Sequence, residues 1–208
     1  MAKIQIIPDH DTYADETAKD TVRGNDDTLI VKSYLGSRRP LYFKWSNTLI
    51  WNYISEGTKI NEVILKVYIY QISIGDLYKN APILRVASDW DEATLTWNNR
   101  PAVTGSTINT IDFDSVGWKS ADITDIFKAW HSEEENNYGV RIWIDSTTVA
   151  ETIWMYSSEA ESNKPYIEVD YIPKASAGIL NWWFFRGSWE KHDKIFKPKL
   201  VIPNGYTI

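Results

Sequence analysis

Cysteine is absent from the 208 residues, which excludes disulfides, thiolate nucleophiles and cysteine-ligated metals. Histidine occurs only at His10, His131 and His192, too scattered for an imidazole metal centre. No stretch approaches the ~20 apolar residues of a membrane-spanning helix. No Gly-x-Ser-x-Gly, no His-Glu-x-x-His and no phosphate-binding glycine loop is present, so no nucleophile, zincin or nucleotide chemistry is indicated. Excess positive charge is missing too. The net charge is −6, and an acidic body argues against nucleic-acid binding. The opening Met1–Asp9 has too short an apolar run, followed at once by acids, to read as a cleavable signal peptide.

What is plentiful is aromatic: 11 Trp and 12 Tyr, a loading usual in all-β proteins that bind sugars and in β-rich structural proteins. The length fits one domain, with or without an arm. Alternating apolar segments read as strands at Thr28–Lys32, Leu41–Trp45, Val63–Tyr70, Ile83–Ala87, Tyr138–Ile144, Thr152–Tyr156 and Tyr166–Tyr171. Lys3–Ile7 and the region about Thr12-Tyr13 add a short strand. One helix is expected over Asp122–Trp130, with Asp122 as N-cap and Ile123, Ile126, Phe127 and Trp130 on one stripe. Many short strands with turns between them indicate an antiparallel β-sandwich.

The stretch Asp89–Pro101, Asp-Trp-Asp-Glu-Ala-Thr-Leu-Thr-Trp-Asn-Asn-Arg-Pro, organises the chain. Trp90, Leu95 and Trp97 offer large apolar surfaces among polar residues. The bland reading is a core plug; the functional one is a ligand-stacking platform. Charge is divided along the chain. From Lys174 onward, 6 Lys/Arg face 2 Asp/Glu, net +4, while the body carries 16 against 26, net −10. Pro173–Ala177 reads as a boundary between a body, residues 1–173, and a C-terminal extended arm, residues 174–208. The arm holds Trp182, Trp183, Phe184, Phe185, Trp189 and Phe196, apolar surface that needs cover and is expected to serve assembly.

Along the body the pieces follow a known order. Asp11-Thr12-Tyr13-Ala14, Thr28–Ser33, Arg39–Lys44, the segment Trp90–Pro101, Asp122-Ile123-Thr124 with Ala129-Trp130, Asn137–Val140, Tyr156–Ala160 and Lys164–Val169 resemble the DNRLRE domain family over about residues 1–173. The resemblance implies a jelly-roll-like sandwich without catalysis. Some members of that family bind acidic polysaccharide and many are structural parts of surface proteins.

Candidate site residues come from alternation. Tyr42, Lys44, Arg141, Trp143, Trp154 and Tyr156 each lie opposite their strand's aliphatic face. Aromatic rings stack on sugars, Lys and Arg pair with uronate carboxylates, and the same residue types favour protein interfaces. No catalytic residue can be nominated, and no cofactor is expected. His10 between Asp9 and Asp11 is at most a weak metal corner; Asp11, Asp15, Asn25, Asp26 and Asp27 are oxygens that could serve a structural calcium. The leading expectation is a non-enzymatic, oligomeric virion subunit that decorates a capsid or tail. It would be anchored to other protein subunits by its arm and displayed on the virion or extracellular surface. The alternative is a carbohydrate-binding module for an acidic polysaccharide, contacting cell-surface glycans.

Overall fold

The computed structural model describes residues 1–73, 78–143, 151–173, 189–192 and 195–198. The chain divides at Pro173/Lys174 into two units, Met1–Pro173 and Lys174–Ile208. The first contains β1 (Ala2–Ile6), β2 (His10–Tyr13), β3 (Thr28–Lys32), β4 (Leu41–Lys44), α1 (Asn47–Tyr53), β5 (Lys59–Ile72), β6 (Tyr78–Val86), β7 (Val103–Phe113), β8 (Gly117–Asp122), α2 (Thr124–His131), β9 (Val140–Ile142), β10 (Thr152–Tyr156) and β11 (Tyr166–Ile172). It is an all-β sandwich, as expected, with two short helices where one was foreseen.

Alternation decides which side chains meet between the sheets. A six-stranded sheet holds β1, β11, β5, β10, β3 and β8; a five-stranded sheet runs β2-β4-β9-β6-β7. Leu29, Val31, Leu65, Val67, Ile69, Ile153, Met155, Ile167 and Val169 of the first sheet and Leu41, Phe43, Ile83, Phe113, Val140 and Ile142 of the second are buried in one core. Each such side chain contributes roughly 1.5–3 kcal/mol of burial.

Two strands of the larger sheet lie end to end. β10 pairs with β5 through Ile72–Ile69 and β11 through Lys66–Lys59. Both occupy the same edge of β5, because Lys66 faces Tyr166 on one side and Ser120 of β8 on the other. Between them, residues 157–165 loop out. Asp11 of β2 holds that loop: its carboxylate accepts the Ser158 N–H at 2.8 Å and the Ser158 hydroxyl at 3.0 Å.

α2 caps the core with Ile126, Phe127 and Trp130, all buried. Its first residue is Thr124 and its N-cap Ile123, not Asp122. The Asp122 carboxylate still accepts the Thr124 N–H at 2.8 Å, from one position further out. α1 was not foreseen. Ser46 starts it, with its hydroxyl oxygen accepting the Leu49 N–H at 3.2 Å, and Ile50 and Ile54 anchor it. Gly139, at φ +78°, leads into β9 where a Cβ would overlap the carbonyl oxygen of Phe43 on β4, so only glycine fits this approach.

The second unit contains β12 (Trp189–His192) and β13 (Ile195–Pro198), paired antiparallel with Lys191 opposite Phe196. A hairpin therefore replaces part of the expected extended arm, consistent with two short runs separated by two residues. Trp189 and Phe196 lie in these strands; Trp182, Trp183, Phe184 and Phe185 lie outside the described residues.

Candidate functional site

The Asp89–Pro101 stretch is the connection between β6 and β7, folded back over the outer face of the five-stranded sheet. Its polar residues lock its own shape. The Asp91 carboxylate accepts the Ala93 N–H at 2.8 Å. Asn99 accepts the Thr96 N–H at 2.7 Å and donates to the Thr94 carbonyl at 2.8 Å. The Trp90 indole N–H reaches the Tyr138 carbonyl at 2.8 Å. Glu92 accepts the Asp11 N–H at 2.9 Å. So braced, Trp90, Leu95 and Trp97 form a second apolar cluster with Ala14, Tyr42 and Val86. The stretch is a plug, and it buries Tyr42 completely.

Beside the plug, three arginines gather around two indoles. Arg38 comes from the β3–β4 connection, Arg100 from the end of the plug and Arg141 from β9. The Arg100 guanidinium lies 3.6 Å from the Trp97 ring centroid and that of Arg38 5.1 Å from it. Trp143 has Arg141 at 4.9 Å and Arg38 at 5.8 Å. Cation–π contacts of this kind orient planar guanidinium groups on aromatic faces. Glu16 balances one of the three cations: its carboxylate accepts the Arg38 Nε–H at 2.9 Å, and hydrogen bonding to Arg38 holds its pKa down at about 2. Burial, reinforced by Arg38 and Arg141, lowers the pKa of Arg100, and burial raises that of Tyr42. Arg141 Nε, Trp143 Nε1 and the Tyr42 hydroxyl are buried without a hydrogen bond of good geometry among the described residues. The patch thus offers concentrated cations and aromatic surface, a combination suited to a carboxylate-bearing ring.

Past the plug, Lys44 occupies a different spot. Its ammonium contacts the Asp89 carboxylate at 2.6 Å and the Trp90 carbonyl at 3.1 Å. It borders an open polar cleft of about 420 Å³ lined also by Ser46, Asn47, Asn136 and Asn137.

Of the six residues nominated by alternation, Tyr42, Arg141 and Trp143 come together at the arginine patch, with Tyr42 beneath the plug rather than at the surface. Trp154 and Tyr156 sit on β10, on the outer face of the other sheet. A sandwich has two outer faces, and alternation along a strand does not say which sheet the strand joins. Arg38 and Arg100 were missed as site residues because they arrive from connections, whereas Trp97 had been weighed as part of a stacking platform; Arg100 inside that tryptophan stretch was the available signal.

Three of the acids considered for calcium already have protein partners. Asp15 meets Arg39 at 2.9 Å and Arg23 at 3.6 Å, Asp26 accepts the Tyr13 hydroxyl at 3.2 Å, and Asp11 serves Ser158. His10 lies 4.0 Å from Glu92. Among the described residues no three or more His, Asp or Glu side chains gather in a metal-binding group, and no helix is long and apolar enough to cross a membrane.

The fold defines a class: an all-β sandwich of two sheets, with the arginine and indole side chains gathered on one of them. The chain belongs to carbohydrate-binding module family 96, whose sequence profile matches residues 2–171, nearly the extent of the DNRLRE resemblance. It is 30% identical over 158 residues to the tRNA nuclease WapA of Bacillus subtilis (strain 168), a match covering 72% of this chain and 7% of that protein. It is 29% identical over 158 residues to the tRNA3(Ser)-specific nuclease WapA of Bacillus spizizenii, with the same coverage. It is 22% identical over 183 residues to a gellan lyase of Bacillus sp, covering 85% of this chain and 7% of that protein. The matched region spans about 7% of the length of these relatives.

Proposed function

We propose that the protein is a non-catalytic module that binds an acidic polysaccharide through Arg38, Arg100, Arg141 and Trp143. The observation that carries this reading is the arginine patch itself, three guanidinium groups around two indoles, with Glu16 paired to Arg38. Arginine pairs bidentately with carboxylates, so a chain with regularly spaced uronates suits the patch better than a neutral one. Family membership supports the sugar reading over the virion-decoration reading, which neither the family nor the relatives favour. One relative is named for gellan, which makes that polymer a natural first probe. The DNRLRE resemblance and an extracellular surface location belong to the same reading.

Affinity electrophoresis of the full chain in gels containing gellan, alginate or polygalacturonate tests it. Retardation by at least one of these is expected, weakening as salt rises. Arg141→Ala should weaken it by about 10- to 100-fold, the worth of a charge-assisted hydrogen bond. No retardation by any polyuronate, or retardation indifferent to Arg141, would overturn it.

A further inference from the structure

The outer face of the six-stranded sheet carries a row of rings outside the arginine patch. Trp118 stands on β8, Tyr68 and Tyr70 on β5, Tyr156 on β10 and Tyr166 on β11. Tyr68 and Trp118 are direct cross-strand partners. Ring centroids follow one another closely: Tyr166 to Trp118 at 5.3 Å, Trp118 to Tyr68 at 5.3 Å, Tyr68 to Tyr156 at 6.0 Å and Tyr156 to Tyr70 at 4.8 Å. Trp118, on β8 beside the central strand β5, is 44% exposed. Three adjacent strands carry Trp118, Tyr68 and Tyr156 across roughly 10 Å, room for more than one sugar ring. The mutual ring contacts fix the side chains before any ligand arrives, which lowers the entropy lost on binding.

Charge selects the ligand. Lys3 and Lys66 both lie against Glu168, at 3.0 and 4.0 Å, and Asp170 and Glu62 stand near Lys3 as well. The cations here are matched and outnumbered by acids, so a polyuronate is repelled where the arginine patch would attract it. Aromatic faces with phenol hydroxyls and amide or carboxylate neighbours suit the apolar faces and hydroxyl edges of uncharged sugars.

We propose that this face is a second glycan-binding surface, specific for a neutral polysaccharide, with Trp118, Tyr68 and Tyr156 as its stacking platform. The two surfaces lie on opposite sheets, so the module would hold two chemically different chains at once. The proposal goes beyond the acidic-polysaccharide reading and does not require it.

The test is affinity electrophoresis of the full chain in gels containing hydroxyethylcellulose, xyloglucan, galactomannan or a soluble α-glucan, beside a polyuronate gel. Retardation by at least one neutral polymer is expected. Trp118→Ala should weaken it roughly tenfold or more, as the loss of one stacked ring's buried area implies, while Trp118→Phe retains most of it. Arg141→Ala should leave neutral binding unchanged, and Trp118→Ala should leave polyuronate binding unchanged. Near-ultraviolet circular dichroism checks that each variant is folded, and Tyr156→Ala serves if Trp118→Ala is not. Absence of neutral binding, or neutral binding indifferent to both ring removals, overturns this proposal and leaves the arginine patch untouched. Self-association in sedimentation velocity that disappears with Trp118→Ala, without neutral binding, would assign the face to a second copy of the chain and also overturn it.

Discussion

Asp11 makes the stability of this fold depend on pH in an unusual direction. The residue is 1% exposed, and burial, with Glu92 and Glu159 adding repulsion, raises its pKa to about 7 despite two hydrogen bonds from Ser158. A carboxyl whose folded pKa lies above its unfolded value contributes stability that is full below about pH 4 and is lost as pH rises through about 7. A gap of that size is worth at most about 4 kcal/mol. Glu92 is raised as well, mainly by burial, and acts with the same sign. Glu16 acts oppositely, but its pKa of about 2 confines its effect to acid well below this window. Urea unfolding followed by tryptophan fluorescence at pH 5, 6, 7 and 8 should therefore show the midpoint falling as pH rises, by about 1.3 M from Asp11 alone for a slope near 2 kcal/mol/M, since about two of the roughly three pH units between its unfolded and folded pKa lie in this window. Asp11→Asn should flatten most of that dependence and make the variant more stable relative to wild type at pH 8 than at pH 5. Equal wild-type midpoints at pH 5 and pH 8, or an undiminished slope in Asp11→Asn, would refute the argument.

Three further outcomes follow from packing and charge. Trp90→Ala removes a buried ring and its hydrogen bond to Tyr138; denaturant unfolding should show a loss of about 3–5 kcal/mol, as for other large core truncations. Gly36 and Gly139 both have positive φ, but only at Gly139 does an added Cβ meet backbone. Gly36→Ala should cost roughly 1–2 kcal/mol and Gly139→Ala distinctly more, the thermal midpoints separating conformational strain from overlap. Arg100→Ala should weaken polyuronate binding by about tenfold or more, measured by calorimetry, with Trp97 remaining in the plug and circular dichroism unchanged.

The sequence made the sandwich legible where burial imposes a period. Val63, Leu65, Val67 and Ile69 alternate because β5 lies mid-sheet, and Ile123, Ile126, Phe127 and Trp130 recur at helical spacing because α2 covers the core. β7 escaped because it is an edge strand: Thr104, Gly105, Ser106 and Thr107 are exposed there, so no apolar face is demanded of them. α1 escaped because Leu49, Ile50 and Trp51 read equally well as strand, and its helical state depends on the Ser46 cap and on Ile50 and Ile54 reaching the core. The site was legible only in part. Arg141 on β9 and Trp143 just past its end follow from alternation along the segment, whereas Arg38 and Arg100 reach the same two indoles from connections far apart in sequence, a convergence that tertiary packing alone decides. Trp154 and Tyr156 have the right chemistry and the right side of their strand but belong to the opposite sheet.

The most direct test of the arginine patch as the acidic-polysaccharide site uses its own half-buried indole. Trp143 Nε1 has no hydrogen-bond partner among the described residues and lies between Arg38 and Arg141. In the ¹⁵N-labelled 208-residue chain titrated with short oligouronates, the indole resonance of Trp143 and the Nε resonances of Arg38, Arg100 and Arg141 should shift together and saturate, while the indoles of Trp118 and Trp154 stay in place. Shifts confined to Trp118 or Trp154, or none at Trp143 at saturating oligouronate, would contradict the account.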